Sequence, residues 1–76
     1  MQGNPNDVGV LNNLAVVANR QGDKAAVAYA ERAYKFMSQD AAVLDTLGWA
    51  LVRHGDMNRG IGLLRDARKL QRKLGP

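Results

Sequence analysis

The sequence predicts an all-α protein made of two stacked helix-turn-helix hairpins. Apolar residues recur at helical spacing along nearly the whole chain, and one half of the chain repeats the other. Only four of the 76 residues are aromatic, and the apolar content of 46% is mostly alanine, leucine and valine. This composition favours close-packed helices over a β-sandwich, and the length suits a single domain spanning residues 1–76.

The repeat is visible by direct alignment. Residues 7–23 align with residues 40–56 after a shift of 33 positions. The matched pairs include Leu11 and Leu44, Leu14 and Leu47, Ala15 and Gly48, and Arg20 and Arg53. Beyond the Gly-Asp dipeptide that ends each segment the shift becomes 34, which indicates a one-residue difference in the turn. We therefore place repeat 1 at about 7–39 and repeat 2 at about 40–73.

The first hairpin is predicted to contain helices at 7–20 and 24–37. Asn6 or Asp7 can cap the free N–H groups of the first helix, and Asp23 can cap the second. The inward faces comprise Leu11, Leu14, Ala15 and Ala18, then Ala26, Tyr29, Ala30 and Ala33. Their spacing of three and four residues is typical of an amphipathic helix.

The second hairpin repeats this pattern with helices predicted at 41–53 and 57–73. Asp40 begins the first of them, and Gly55 ends it as Gly22 does in the first hairpin. The inward faces comprise Leu44, Leu47, Gly48 and Leu51, then Gly60, Leu63, Leu64 and Ala67.

Small residues within the helices predict close helix packing. Glycine in a helix interior costs about 1 kcal/mol relative to alanine, so Gly48 makes sense where another helix approaches closely. Ala15 is its counterpart in the first repeat. The residues predicted to pack within and between repeats are Leu11, Leu14, Ala15, Ala26, Ala33, Leu44, Leu47, Gly48, Leu51, Gly60, Leu64 and Ala67.

The spacing resembles the tetratricopeptide repeat, whose pattern is W-x2-L-G-x2-Y followed by A, F, A and P. In repeat 2 the first four sites hold Leu44, Leu47, Gly48 and Leu51, and the next three hold Gly60, Leu64 and Ala67. The resemblance covers residues 6–73, and the run LDTLGWALVRHGD is similar to bacterial members. The repeat-ending proline is absent, since Ser38 and Arg72 stand at its sites.

The resemblance also bears on the ends of the chain. Asn4-Pro5-Asn6 resembles the close of a preceding repeat, so residues 1–6 are expected to be such an end or a linker. Together with Leu70 and Leu74, which continue the apolar stripe, this predicts two repeats excised from a longer array, a fragment of an α-solenoid.

The resemblance implies that the first helix of each hairpin lines a concave, partner-binding face. The positions carried over are Asn12, Val16, Asn19 and Arg20 in repeat 1, and Asp45, Trp49 and Arg53 in repeat 2. Asparagine would pair with peptide backbone amides, tryptophan would supply apolar area, and arginine would hold carboxylates. The alternative is that Trp49 belongs partly to the core while Asp45 and Arg53 are merely solvated.

The sequence disfavours enzymatic and metal chemistry. There is no cysteine for a disulfide or thiolate site, and one histidine, His54, cannot form a histidine pair. No phosphate loop, HExxH motif or nucleophile elbow occurs. We expect no enzyme, no cofactor, no metal site and no membrane insertion, while the absence of cysteine fits bacterial cytoplasm and periplasm equally.

Positive charge is concentrated in the last third of the chain. Residues 53–76 hold seven basic and two acidic residues, whereas residues 1–52 hold four basic and five acidic ones. The basic positions on the last helix include Arg65, Arg68, Lys69 and Arg72. They could contact phosphates, but no aromatic residue is interleaved for base stacking, so nucleic-acid binding is the weaker interpretation.

The leading hypothesis is a non-catalytic protein–protein interaction module that binds a peptide or partner helix in its concave groove. The alternative is a structural or assembly repeat that forms homodimers through exposed hairpin ends, involving Leu70 and Leu74 or the first helix. Arrays usually need at least three repeats for stability, which motivates this alternative.

Overall fold

The protein is all-α, as the sequence predicts. The computed structural model describes residues 7–74, with side chains through Arg72. Its helices are α1 (Val8–Gln21), α2 (Ala25–Phe36), α3 (Ala41–Arg53) and α4 (Met57–Leu74). Every helix bound lies within one residue of its predicted position. The interpretation of residues 1–6 and the side chain of Leu74 fall outside the described part of the chain.

Aspartate side chains cap α1 and α3, and a third aspartate supports the start of α2. The Asp7 carboxylate accepts a hydrogen bond from the Gly9 amide at 2.8 Å, and the Asp40 carboxylate accepts one from Ala42 at the same distance. Asp23 accepts from the Ala25 amide at 2.9 Å at the start of α2. Each cap satisfies an N–H group that has no partner within its helix.

A glycine in the left-handed conformation ends the first helix of each hairpin. Gly22 has φ of 70° and Gly55 has φ of 111°, values that L-residues with a side chain rarely adopt. The residue after each glycine donates its amide to a carbonyl five residues back, Asp23 to Ala18 and Asp56 to Leu51, both at 2.9 Å. These bonds satisfy carbonyls at the helix end and turn the chain back on itself.

The change of repeat shift from 33 to 34 has a structural cause in the next turn. In the first hairpin the Ala26 amide donates to the Asp23 carbonyl, three residues back, at 3.0 Å. In the second hairpin the Gly60 amide donates to the Asp56 carbonyl, four residues back, at 3.0 Å. Helix α2 thus begins with a tighter 3₁₀-type turn that uses one residue fewer.

The core lies where α3 meets the other three helices. Helix α3 contacts α1, α2 and α4, and it contributes most of the large buried side chains. In the first hairpin the buried residues are Leu11 and five alanines, namely Ala15, Ala18, Ala26, Ala30 and Ala33. Large side chains from α3, including Val43 and Leu47, fill the space that these alanines leave.

The two helices of the second hairpin cross with almost no space between their backbones. A Cβ atom placed on Gly60 would lie 2.6 Å from the Gly48 carbonyl oxygen and 2.9 Å from the Val52 amide nitrogen. The counterpart crossing of α1 and α2 holds Ala15 and Ala26, so it has room for two methyl groups. The second hairpin is therefore the more tightly crossed of the two.

Most residues predicted to pack between helices are buried, but Leu14 is not. Its side chain is 42% exposed, whereas its repeat counterpart Leu47 is 0% exposed. Leu47 is covered because α3 lies against the first hairpin. No helix among residues 7–74 packs on the corresponding side of α1. The repeat pattern therefore wrongly predicts that Leu14 is buried as Leu47 is. Leu64 is half-buried.

An ion pair between Arg59 and Glu31 links the two hairpins. Both terminal guanidinium nitrogens of Arg59 in α4, Nη1 and Nη2, donate to the carboxylate of Glu31 in α2, and the Nη2–Oε1 distance is 3.0 Å. The hydrogen bonds from Arg59 hold the pKa of Glu31 below its ordinary value and raise the pKa of Arg59. Both side chains remain partly exposed, so the pair stabilises the fold only modestly.

Acid is expected to remove this contribution. The pKa of Glu31 is lower in the folded than in the unfolded protein, so the pair stabilises the fold above the ordinary glutamate value of 4.5. The contribution is lost as the pH falls through the lowered pKa. Glu31→Gln should therefore destabilise the protein by less than about 1 kcal/mol at pH 7 and by a smaller amount at about pH 3. Urea denaturation of both proteins at the two pH values tests this, and an equal difference at both would contradict it.

Candidate functional site

Helices α1 and α3 are neighbours, and their outward side chains bound a common cleft of about 230 Å³. We call it the α1–α3 groove. Six of the seven residues predicted for the concave face line it, namely Val16, Asn19, Arg20, Asp45, Trp49 and Arg53, together with Thr46. Residues that are 33 positions apart in the chain thus line the same groove, as Arg20 and Arg53 do.

Asn12, the seventh predicted residue, does not line the groove. It lies one helical turn before Val16 and is half-buried. Its side-chain carbonyl oxygen is buried and has no hydrogen-bond partner among the described residues. The side-chain oxygen of Asn12 is therefore buried, and Asn12 is not placed to contact a ligand in the groove.

Asn19 connects the two helices that form the groove. Its side-chain amide donates to the backbone carbonyl of Thr46 at 3.3 Å. The Thr46 hydroxyl donates to the Ala42 carbonyl within α3 at 2.8 Å, so Thr46 meets Asn19 through its main chain only. The Oδ1 atom of Asn19 is buried and without a partner among the described residues. Thr46 is absent from the predicted groove residues, because a main-chain acceptor does not depend on residue type.

Trp49 is the largest side chain in the groove and is 51% exposed. It also borders a second cleft, of about 350 Å³, between α3 and α4. The side chain is therefore neither a core residue nor a fully solvated one. It presents one half of its surface to the protein and the other half to solvent in the groove.

Charge within the groove is polarised along the helices. Arg20 and Arg53 are both exposed and lie in the last turns of α1 and α3, where the helix dipole favours cations. Asp45 lies eight residues before Arg53, about 12 Å along α3. One end of the groove therefore attracts an anionic group and the other end attracts a donor or a cation.

The basic residues of α4 border two different clefts. Arg65 and Arg68 line the cleft between α3 and α4 with Trp49. Lys69 and Arg72 line a different cleft of about 530 Å³, which also contains the carboxylate of Asp66. Arg65, Lys69 and Arg72 are spaced by four and three residues, so they lie on one side of α4.

The described residues include no group of three or more histidine, cysteine, aspartate or glutamate side chains placed to hold a metal ion. His54 is exposed at the end of α3. Within residues 7–74 no helix has both the length and the apolar character that crossing a membrane requires.

Comparison with known proteins assigns no relative to the chain. No protein-family model matches it, and none of the curated proteins or solved structures is significantly similar to it. A function therefore has to be inferred from the residues that line the groove.

Proposed function

We propose that this chain is a non-catalytic protein–protein interaction module that binds an extended peptide or a partner helix in the α1–α3 groove. The observation that carries the proposal is the half-exposed Trp49 beside two arginines that converge from different helices. We also propose, from the repeat pattern and the matching hairpin turns, that the chain is a pair of tetratricopeptide-like repeats.

Trp49 supplies the apolar part of the recognition. Tryptophan and arginine are the residue types most enriched among side chains that dominate binding energy at interfaces. An indole ring that is already held in place by the protein loses little conformational freedom when a ligand covers it. Val16 lies beside it on α1 and extends the apolar surface. The groove therefore suits a ligand with an apolar side chain at its centre.

The polar residues define the rest of the ligand. Arg20 and Arg53 favour a side-chain or terminal carboxylate, because guanidinium groups form strong charge-assisted hydrogen bonds to it. The carboxylate of Asp45 can accept from a peptide N–H group at the other end of the groove. The proposed ligand is a peptide segment that carries an apolar residue followed by an acidic one.

Replacing Trp49 and Arg53 together by alanine is expected to weaken peptide binding at least tenfold, since two dominant contacts are lost. Peptides selected from a displayed library on the native protein would be labelled, and their affinity would be measured by fluorescence anisotropy. The matched control is Lys35→Ala with Phe36→Ala, which removes one exposed cation and one exposed aromatic side chain from α2, outside the groove.

The control variant should bind with the native affinity. Neutralising the acidic residue of the peptide should weaken binding to the native protein, and the effect should be smaller for the Trp49→Ala, Arg53→Ala variant, which retains only Arg20. Peptide binding that is unaffected by this double substitution would refute the groove assignment.

A further inference from the structure

An apolar strip on α1 has no covering element among the described residues. We call it the donor face, formed by Val10, Leu14 and Val17. Leu14 is 42% exposed and Val17 is 49% exposed. A shift of 33 residues maps these positions onto Val43, Leu47 and Ala50 of α3, all of which are buried. The same strip is thus covered in one repeat and open in the other.

The structure shows what covers the strip on α3. Val43 clusters with Leu11 and Ala33, and Ala50 clusters with Ala18 and Ala26. The strip therefore lies in the trough between α1 and α2 of the first hairpin. Leu47 belongs to the cluster that also contains Ala15 and Ala30, which are buried in the same trough.

On the second hairpin, a cleft of about 350 Å³ lies between α3 and α4, and we call it the acceptor cleft. Leu64 and Ala67, the counterparts of Ala30 and Ala33 in the trough of the first hairpin, line it. Its lining residues are Asp45, Trp49, Ile61, Leu64, Arg65, Ala67, Arg68 and Gln71. Ile61 is 40% exposed, although Val27, its counterpart in the first hairpin, packs against the core.

We propose that the donor face of one molecule docks in the acceptor cleft of a second copy of this chain, repeating between molecules the packing that joins the two hairpins within one. The occupant is a second copy because each molecule carries both halves of an interface that it already forms internally. The contact is head-to-tail, so it leaves one face open at each end and adds further copies as concentration rises. The proposal does not depend on peptide binding in the α1–α3 groove.

Charge favours this arrangement. The acceptor cleft is bordered by the exposed cations Arg65 and Arg68. The donor helix begins at the exposed carboxylate of Asp7 and has no basic residue before Arg20. The cleft also contains the carboxylate of Asp45, so its cations outnumber its carboxylates by two to one. This excess of positive charge favours the approach of the acidic start of the donor helix.

Two differences make the contact between molecules weaker than the internal one. Leu64 stands where the first hairpin has Ala30, and its larger side chain makes the acceptor cleft shallower. Val52 stands where the first hairpin has Asn19, so the hydrogen bond to the Thr46 carbonyl has no counterpart. We therefore expect association that grows with protein concentration rather than a dimer that persists on dilution.

Sedimentation of the full chain from about 10 µM to about 1 mM tests the proposal. The mean mass of the native protein should rise across this range. Val17→Asp blocks the donor face and Ile61→Asp blocks the acceptor cleft, so each variant alone should stay monomeric. An equimolar mixture of the two retains one intact donor face and one intact acceptor cleft, and it should form a 1:1 dimer and nothing larger.

Phe36→Asp is the control, because Phe36 is an exposed apolar residue outside both surfaces, and this variant should associate as the native protein does. Circular dichroism checks that each variant is folded. The emission of Trp49, the single tryptophan, should shift to shorter wavelength in the mixture because the acceptor cleft is covered. A native protein that stays monomeric at 1 mM, a Val17→Asp variant that still associates, or a mixture that stays monomeric would each overturn the proposal.

Discussion

Gly60→Ala is expected to lower the free energy of unfolding by about 2–4 kcal/mol, because the added methyl group has no space to occupy. Its Cβ atom would lie 2.6 Å from the Gly48 carbonyl oxygen and 2.9 Å from the Val52 amide nitrogen. Both are backbone atoms, so the clash is relieved only by moving α3 and α4 apart. A chain of this length has a total stability of roughly 4–11 kcal/mol, so the loss is large.

Gly62→Ala is the matched control on the same helix. A Cβ atom on Gly62 would have no neighbour within 4 Å, so the substitution adds no clash. Alanine is the better helix former, and the variant should gain about 0.5–1 kcal/mol. Urea denaturation followed by circular dichroism measures both variants. If Gly60→Ala is as stable as Gly62→Ala, the two helices do not cross as closely as described.

Leu47→Ala is expected to cost about 2–5 kcal/mol, since its side chain is fully buried between the hairpins. Leu14→Ala makes the same chemical change at the equivalent position of the first repeat. Because Leu14 is 42% exposed, we expect a loss below about 1 kcal/mol. Thermal and urea unfolding at low protein concentration give both values. If both substitutions lowered the free energy of unfolding equally, Leu14 on α1 would have to be buried in solution, as Leu47 on α3 is buried against the first hairpin.

The local parts of this fold could be predicted from the sequence. Helix starts at Asp7 and Asp40 and helix ends at Gly22 and Gly55 depend on bonds within a few residues, so residue type is sufficient to identify them. The one-residue change in the repeat shift likewise indicated a difference in the turn.

The features that depend on how the two hairpins pack against each other could not be predicted from the sequence. Alignment treats Leu14 and Leu47 as equivalent, yet only one of them has a neighbouring hairpin against it. The Asn19–Thr46 hydrogen bond was missed because it depends on the offset between two helices. The sequence suggested the groove residues through a family resemblance, and the structure places six of the seven around one cleft.

The alanine-rich interior of the first hairpin has a consequence for how the chain melts. With Leu11 as its single large buried side chain, α1 and α2 bury too little apolar surface to stay folded alone. Their stability comes from the side chains that α3 inserts between them. Repeat arrays often unfold one repeat at a time. Here the first hairpin cannot stay folded without the second, so the two hairpins should unfold together in a single cooperative step.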